Sequence, residues 1–293
     1  MPTRYRAAAT ALLLTATAGL AATGGAAQAS GAHHPGARAA SKLVVTIKSK
    51  AHSVKLSEAK IHPGNTMFKV KDAGGAGLIQ VLRLKPGYPL GQAVSDFGTG
   101  IGGGDVAAIR RVDKNVVFYG GMQTPRKPSK VNMWAVKIDK PGTYYVVNTD
   151  ANLLATFTAK GHPQKRSLPA QDGWINAASG PHGVGNVFKT GKHNAAQGWM
   201  STTNKAREPH FVDLLHVKKS TTNHQVMQAF TSQSPSHIFL KGGTGTGVIS
   251  PHHTFLWAYD LSQGKYVAAC FWPSKVDGMP HALMGMFKLF QLG

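Results

Sequence analysis

Apolar and β-branched residues in this chain come in short runs, not at helical spacing. Leu43-Val44-Val45-Thr46-Ile47, flanked by Lys42 and Lys48, is the first such run and predicts a strand. Residues 64–70 and 198–203 read as further strands. Two longer series then follow one order. Residues 78–84 (Leu-Ile-Gln-Val-Leu-Arg-Leu) lead into the turn Lys85-Pro86-Gly87 and a helical pattern ending near Phe97. Residues 211–217 (Phe-Val-Asp-Leu-Leu-His-Val) lead into Lys218-Lys219-Ser220 and a helical pattern over 225–230. A glycine pair comes next in each series, Gly120-Gly121 and Gly242-Gly243, and reads as a loop. Trp134 then opens a strand that passes through Gly142 to Tyr144-Tyr145-Val146-Val147. Trp257 opens its counterpart, which passes through Gly264 to Tyr266-Val267-Ala268-Ala269.

The shared order predicts an internal duplication; the alternative is chance likeness between two generic strand–turn–strand patterns. Each copy has room for about 110–130 residues, the size of a small sandwich. The expected fold is all-β, with two tandem β-domains over residues 42–161 and 170–293. They meet at residues 161–169, where His162, Pro163 and Pro169 interrupt regular structure. The frequency of glycine (34) and proline (16) agrees with a turn-rich β protein.

The N-terminus has its own pattern. Arg4 and Arg6 precede an apolar stretch from Ala7 to about Ala22, and Ala27-Gln28-Ala29 has the small-x-small form of a cleavage site. Residues 1–29 therefore read as a secretory signal peptide, cut before Ser30. The alternative is a membrane anchor, for which the run is short and rich in small residues; a span needs about 20 apolar residues. Residues 30–41 (SGAHHPGARAAS) read as a disordered leader. A cut one residue later would place His33 third from the amino terminus, a copper(II)-binding arrangement that the small-x-small rule disfavours.

Charge adds a class of partner. Loss of Arg4 and Arg6, with no acid, takes the formal +21 to +19, which favours anionic contacts. The lysines at 42, 48, 50, 55, 60, 69 and 71 alternate with apolar residues as on exposed strand faces. No recognition-helix pattern and no aromatic–basic interleaving points to nucleic acid. Anionic wall polymer or lipid headgroups suit an exported protein better, with plain solubility as the alternative.

Export also makes the single cysteine, Cys270, conspicuous. It has no internal disulfide partner, and a free thiol outside the cytoplasm is open to oxidation. Burial, a partner or a metal should account for it. Cys270 ends a strand; His281 follows after a Pro/Gly-bearing loop, and Met286 lies beyond it. Upstream, Asn204-Lys205-Ala206-Arg207-Glu208-Pro209-His210 puts a histidine at the start of a strand.

This set resembles the cupredoxin (blue copper) family, best over residues 170–293. The family's upstream His sits after an Asn-bearing turn. Its Cys, second His and Met come from the final strand and the loop after it. The resemblance implies Greek-key sandwiches and one copper ion. His210 and His281 would be the imidazoles, Cys270 the thiolate and Met286 the weak axial thioether, for electron transfer or copper handling. A thiolate and two imidazoles in a trigonal plane with a long axial thioether suit both copper oxidation states. The Cys-to-His loop, residues 271–280, is long for the family, although the copper nitrite reductases have a nearly comparable one with a similar His-x-x-x-Gly-Met ending. Met284 competes for the axial role, and that spacing favours Met286. The chain is also similar to a group of secreted actinobacterial proteins with Cys-Phe-x-Pro, Gly-x-Pro-His and Gly-Met, in which the fold is kept without an established copper function. Singly, each of these residues has an ordinary reading as a packed hydrophobe or a satisfied histidine.

Aligning the two copies puts Gly77 opposite His210 and Asn148 opposite Cys270, so the first copy is expected to be metal-free. The glycine-rich stretches 98–104 and 242–247 lack the Lys-Ser/Thr of a phosphate loop and read as loop tips. His252-His253 lacks an acidic or Cys partner. Gly-x-Ser-x-Gly, His-Glu-x-x-His and His-x-His are absent, which places an enzyme behind a carrier or a scaffold.

Overall fold

The computed structural model describes residues 43–50, 52–72, 77–125, 130–150, 152–181, 185–232 and 237–293. The expected signal peptide and leader lie outside the described residues. The fold is mainly β. The first half comprises β1 (Val44–Lys50), β2 (Ser53–Leu56), β3 (Lys60–Ile61), β4 (Gly64–Asp72), β5 (Leu78–Leu84), α1 (Leu90–Asp96), α2 (Val106–Asn115), β6 (Val116–Gln123), β7 (Val131–Ile138), β8 (Gly142–Asn148) and β9 (Leu153–Ala159). The second half comprises β10 (Gly173–Ser179), β11 (Asn186–Thr190), β12 (Gln197–Thr203), β13 (Asp213–Val217), α3 (Asn223–Thr231), β14 (Phe239–Gly245), β15 (Thr254–Asp260), β16 (Gly264–Ala269) and β17 (Phe287–Leu292).

The strand order repeats between the halves. An eight-stranded sheet runs β11-β10-β12-β15-β7-β4-β1-β2, and its two ends mirror each other about the β15–β7 seam. In both ends one pair is parallel, β1 with β4 and β10 with β12. The small sheets correspond too: β6-β5-β8-β9 in the first half, with β3 added at its edge, and β14-β13-β16-β17 in the second. At the seam Trp257 faces Trp134 across antiparallel strands, and both indoles are fully buried. One hydrophobic core runs through both halves, from Val45 to Leu292. The connecting stretch is itself tied down: Arg166, buried, donates to the carbonyls of His62 and Asn65, and Asn65 Nδ2 donates to the Arg166 carbonyl.

Three sequence readings need correction. Gly120-Gly121 lies within β6, and Gly242-Gly243 within β14, so neither pair is a loop. The pairing shifts register next to each pair, opposite Gln80/Leu82 and opposite Leu215/Val217, with the extra residues on β6 and β14. A β-carbon at Gly121 or Gly243 would strike the carbonyl of Ile79 or Leu214, so glycine lets the bulged strands close up. The stretch 98–104 is a π-helical turn (Phe97–Gly102) leading to α2, not a loop tip. Helix α2 itself has no counterpart in the reading of the sequence. Asp105 caps it by accepting from the amides of Ala107 and Ala108, and it buries Ala108, Ile109 and Val112. Among the described residues no helix is long and apolar enough to cross a membrane.

The halves are also stitched by backbone. Residues 246–250 of the second half lie along β6: the amide of Gly247 donates to the Gly121 carbonyl, that of Gly120 to Val248, and that of Ser250 to Phe118. Buried Gln80 completes the seam, donating to the carbonyls of Gly120 and Val248 and accepting from the Val248 amide at 2.7 Å. Gln80→Leu takes this partner from the Val248 amide and the Gly120 carbonyl in a dry interior and should cost about 2–3 kcal/mol. Urea unfolding of the variant against the parent measures the loss.

Candidate metal centre

Cys270 follows β16 directly and is fully buried. Its Sγ lies 3.5 Å from His210 Nδ1 and 3.8 Å from His281 Nδ1. The three ligand atoms lie within 4.8 Å of one another, and all three residues are buried. The structure thus brings together the three strongest sequence candidates, although 60 residues separate His210 from Cys270.

Each residue is held by its local chain. Asn204, buried, ties the turn before His210: its Nδ2 donates to the carbonyls of Glu208 and Ile249, and its Oδ1 accepts from the Ala206 amide. His210 then exchanges two backbone hydrogen bonds with Ile249, at 3.1 and 2.8 Å. The long loop after Cys270 closes on itself. Pro273 bridges Pro280, the Ser274 amide donates to Met279, and the His281 amide donates to Trp272. His281 thereby returns beside Cys270 and opens a 3-10 turn (His281–Met284), which ends at Gly285 in the left-handed conformation, φ 94°. That turn separates the two methionines. Met284 is 47% exposed, whereas Met286 is 1% exposed and exchanges backbone hydrogen bonds with the site, its amide donating to His281 and its carbonyl accepting from Cys270.

The first half covers the centre. Trp272 donates to Asp113 of α2 at 3.3 Å and packs edge-on against Phe118, and Arg110 of α2 donates to the Lys275 carbonyl. Burial, then the nearby charge of Glu208, pushes Asp113 up to about 7. Burial also sets the state of the donors. It pushes the Cys270 thiol up to about 12 and holds His210 well below the usual imidazole range, with His281 adding to the depression. Both groups are therefore neutral at pH 7. Glu208 was missed in the sequence. Its Oε2 accepts from His281 Nε2 at 3.0 Å, and its pKa falls because that contact, with the charges of His281 and Lys275, outweighs the opposing effect of burial. A carboxylate two residues before a candidate ligand, in a chain with 12 acidic residues, was the available signal. His252 and His253 stay apart from the three donors; the ring of His253 packs on Tyr119.

The first half shows the same position without donors. Gln80 pairs with Val147 as Asp213 pairs with Ala269, which sets Asn148 in the place of Cys270 and Gly77 in that of His210. Gly77 has φ 153°, and a β-carbon there would collide with Asn148 Oδ1. Asn148, fully buried, donates to Ser49 Oγ.

No family model matches the chain, and no curated protein does. Solved structures do. Auracyanin B is 16% identical, with 44% of this chain and 92% of that chain covered and a TM-score of 0.28. A copper nitrite reductase from Nitrosomonas europaea is 10% identical, with 86% and 94% covered and a TM-score of 0.24. A copper-containing nitrite reductase from Thermus scotoductus is 7% identical, with 86% and 62% covered and a TM-score of 0.23. The resemblance drawn from the sequence is carried by the donors themselves: the His210, Cys270, His281 cluster with Met286 beside it is like a type 1 copper site.

The buried, protonated thiol has a direct chemical consequence. At pH 8 a thiol reagent should modify Cys270 in urea but leave it untouched in the native chain over the same time. Counting modified thiols by mass spectrometry checks this.

Proposed function

We propose that this chain is an exported cupredoxin-like protein whose second half holds one copper ion for electron transfer or copper handling. The observation that carries the reading is the convergence of two imidazole Nδ1 atoms on one buried sulfur, at 3.5 and 3.8 Å. Donors about 2.0–2.3 Å from a metal and spread around it in a plane lie about 3.5–4 Å apart, which the two sulfur–nitrogen spacings match, while all three atoms lie within 4.8 Å of one another. The donor types fit as well: a soft thiolate with two imidazoles selects copper over the hard cations.

In this reading His210 and His281 would hold the ion through nitrogens, Cys270 through its sulfur, and buried Met286, not exposed Met284, through its thioether. Copper supplies a one-electron couple when bound. The chain's own residues do the rest. Cys270 would have to release its proton to solvent for a cation to be held, which its burial opposes in the metal-free chain. His210, neutral, offers a lone pair without first losing a proton. Trp272 and the closed loop keep water from the thiolate, and their contacts to α2 restrain the Cys-to-His spacing through a redox cycle. The two halves are read as tandem Greek-key sandwiches over residues 42–161 and 170–293, the first a metal-free partner that braces the second.

The test uses residues 30–293. Copper(II) should produce an intense thiolate-to-copper band in the visible spectrum at one ion per chain, and Cys270→Ser should abolish it. A chain without the band, or a band that survives in Cys270→Ser, overturns the reading.

Export and charge complete the proposal. The mature chain would begin at Ser30 and use its basic surface on anionic wall polymer or lipid headgroups. Fractionating a producing culture checks both: amino-terminal sequencing should read Ser30-Gly31-Ala32 from envelope-associated protein that raised salt releases. Retention of Met1, or association that salt does not weaken, counts against it.

A further inference from the structure

The two histidines of the centre differ in how their outer nitrogens are treated. His210 Nε2 is buried and meets no hydrogen-bond partner among the described residues. His281 Nε2 is held by Glu208 Oε2 at 3.0 Å, with side-chain exposures of only 2% and 14%. Glu208 is not a mobile surface acid. Its carbonyl accepts from Asn204 Nδ2 at 2.7 Å, and the Lys275 amide approaches its Oε2 at 3.5 Å. The turn that delivers His210 and the loop that delivers His281 are thus joined through one side chain.

We infer that Glu208 is a positioning residue for His281, an inference that rests on the copper reading above. A carboxylate on Nε2 keeps the ring proton there and leaves the Nδ1 lone pair facing Cys270 Sγ. It also fixes the ring plane, which the 3-10 turn alone leaves free to rotate about its side-chain bonds. A carboxylate so close makes the imidazole a stronger donor and favours the more highly charged metal state. Glu208 therefore holds the ligand in its binding tautomer and draws the couple toward the oxidised side.

Glu208→Gln and Glu208→Ala in residues 30–293 separate these effects. The Gln amide oxygen still accepts from Nε2, so E208Q should keep the visible band while its reduction potential rises. E208A loses the acceptor, and copper should bind about 10- to 100-fold more weakly, with a shifted band. In the metal-free chain, nitrogen-15 NMR of the His281 ring should show the Nε2–H tautomer in the parent and in E208Q, and a mixture in E208A. E208A with parental affinity, band and tautomer would sink the proposal, and E208Q with the parental potential would sink its electrostatic part. Because the tautomer is read without metal, failure of the parent to bind copper leaves this test intact and identifies which of the two readings has failed.

Discussion

The site depends on five residues of backbone clamped from both sides. Residues 246–250 hydrogen-bond to β6 of the first half along one edge and to His210 and Val212 of the second along the other. A buried segment must satisfy its amides and carbonyls, and this one does so only where both halves are present. Its position sets that of Ile249, which holds His210 through two backbone hydrogen bonds. The donors all come from the second half, yet the frame that aims the first of them is shared. Helix α2 extends the same dependence to the other side of the centre by bracing the loop between Cys270 and His281.

Burial gives the centre its chemical character. A neutral thiol and a neutral imidazole can sit in a dry interior at modest cost, whereas a lone thiolate cannot. The metal-free centre therefore stays uncharged at Cys270, and a cation that compensates the negative charge changes that balance. His210 Nε2 is buried without a hydrogen-bond partner among the described residues, a cost that the packing around the three donors accepts.

Much of this was legible in the sequence. The duplication followed from the order of elements, because strand order in each half repeats the order of apolar runs. Cys270 stood out as the single cysteine, and His210, His281 and Met286 followed from the resemblance to the cupredoxin pattern. What was hidden depended on contacts between distant segments. Gly120-Gly121 and Gly242-Gly243 resemble loop glycines until the carbonyls of Ile79 and Leu214 are seen pressing on them. Helix α2 spans only ten residues (Val106–Asn115), and its apolar positions fall on a single narrow face. Glu208 sat inside a segment read for its asparagine and histidine; its role appears only when the loop ending at His281 folds back onto it. The shared sheet was equally invisible, since two free-standing units and two fused ones have the same pattern of strands.

The first half differs from the second in its main chain as well as in its side chains. At Gly77 the difference from His210 extends beyond the side chain into the main chain, whose φ of 153° is one that residues with a β-carbon rarely adopt. Replacing Asn148 with cysteine and Gly77 with histidine would supply the donor types without the chain path that aims them in the second half. The donor set of the second half therefore cannot be transplanted by side-chain replacement alone: at Gly77 the main chain leaves no room for a β-carbon.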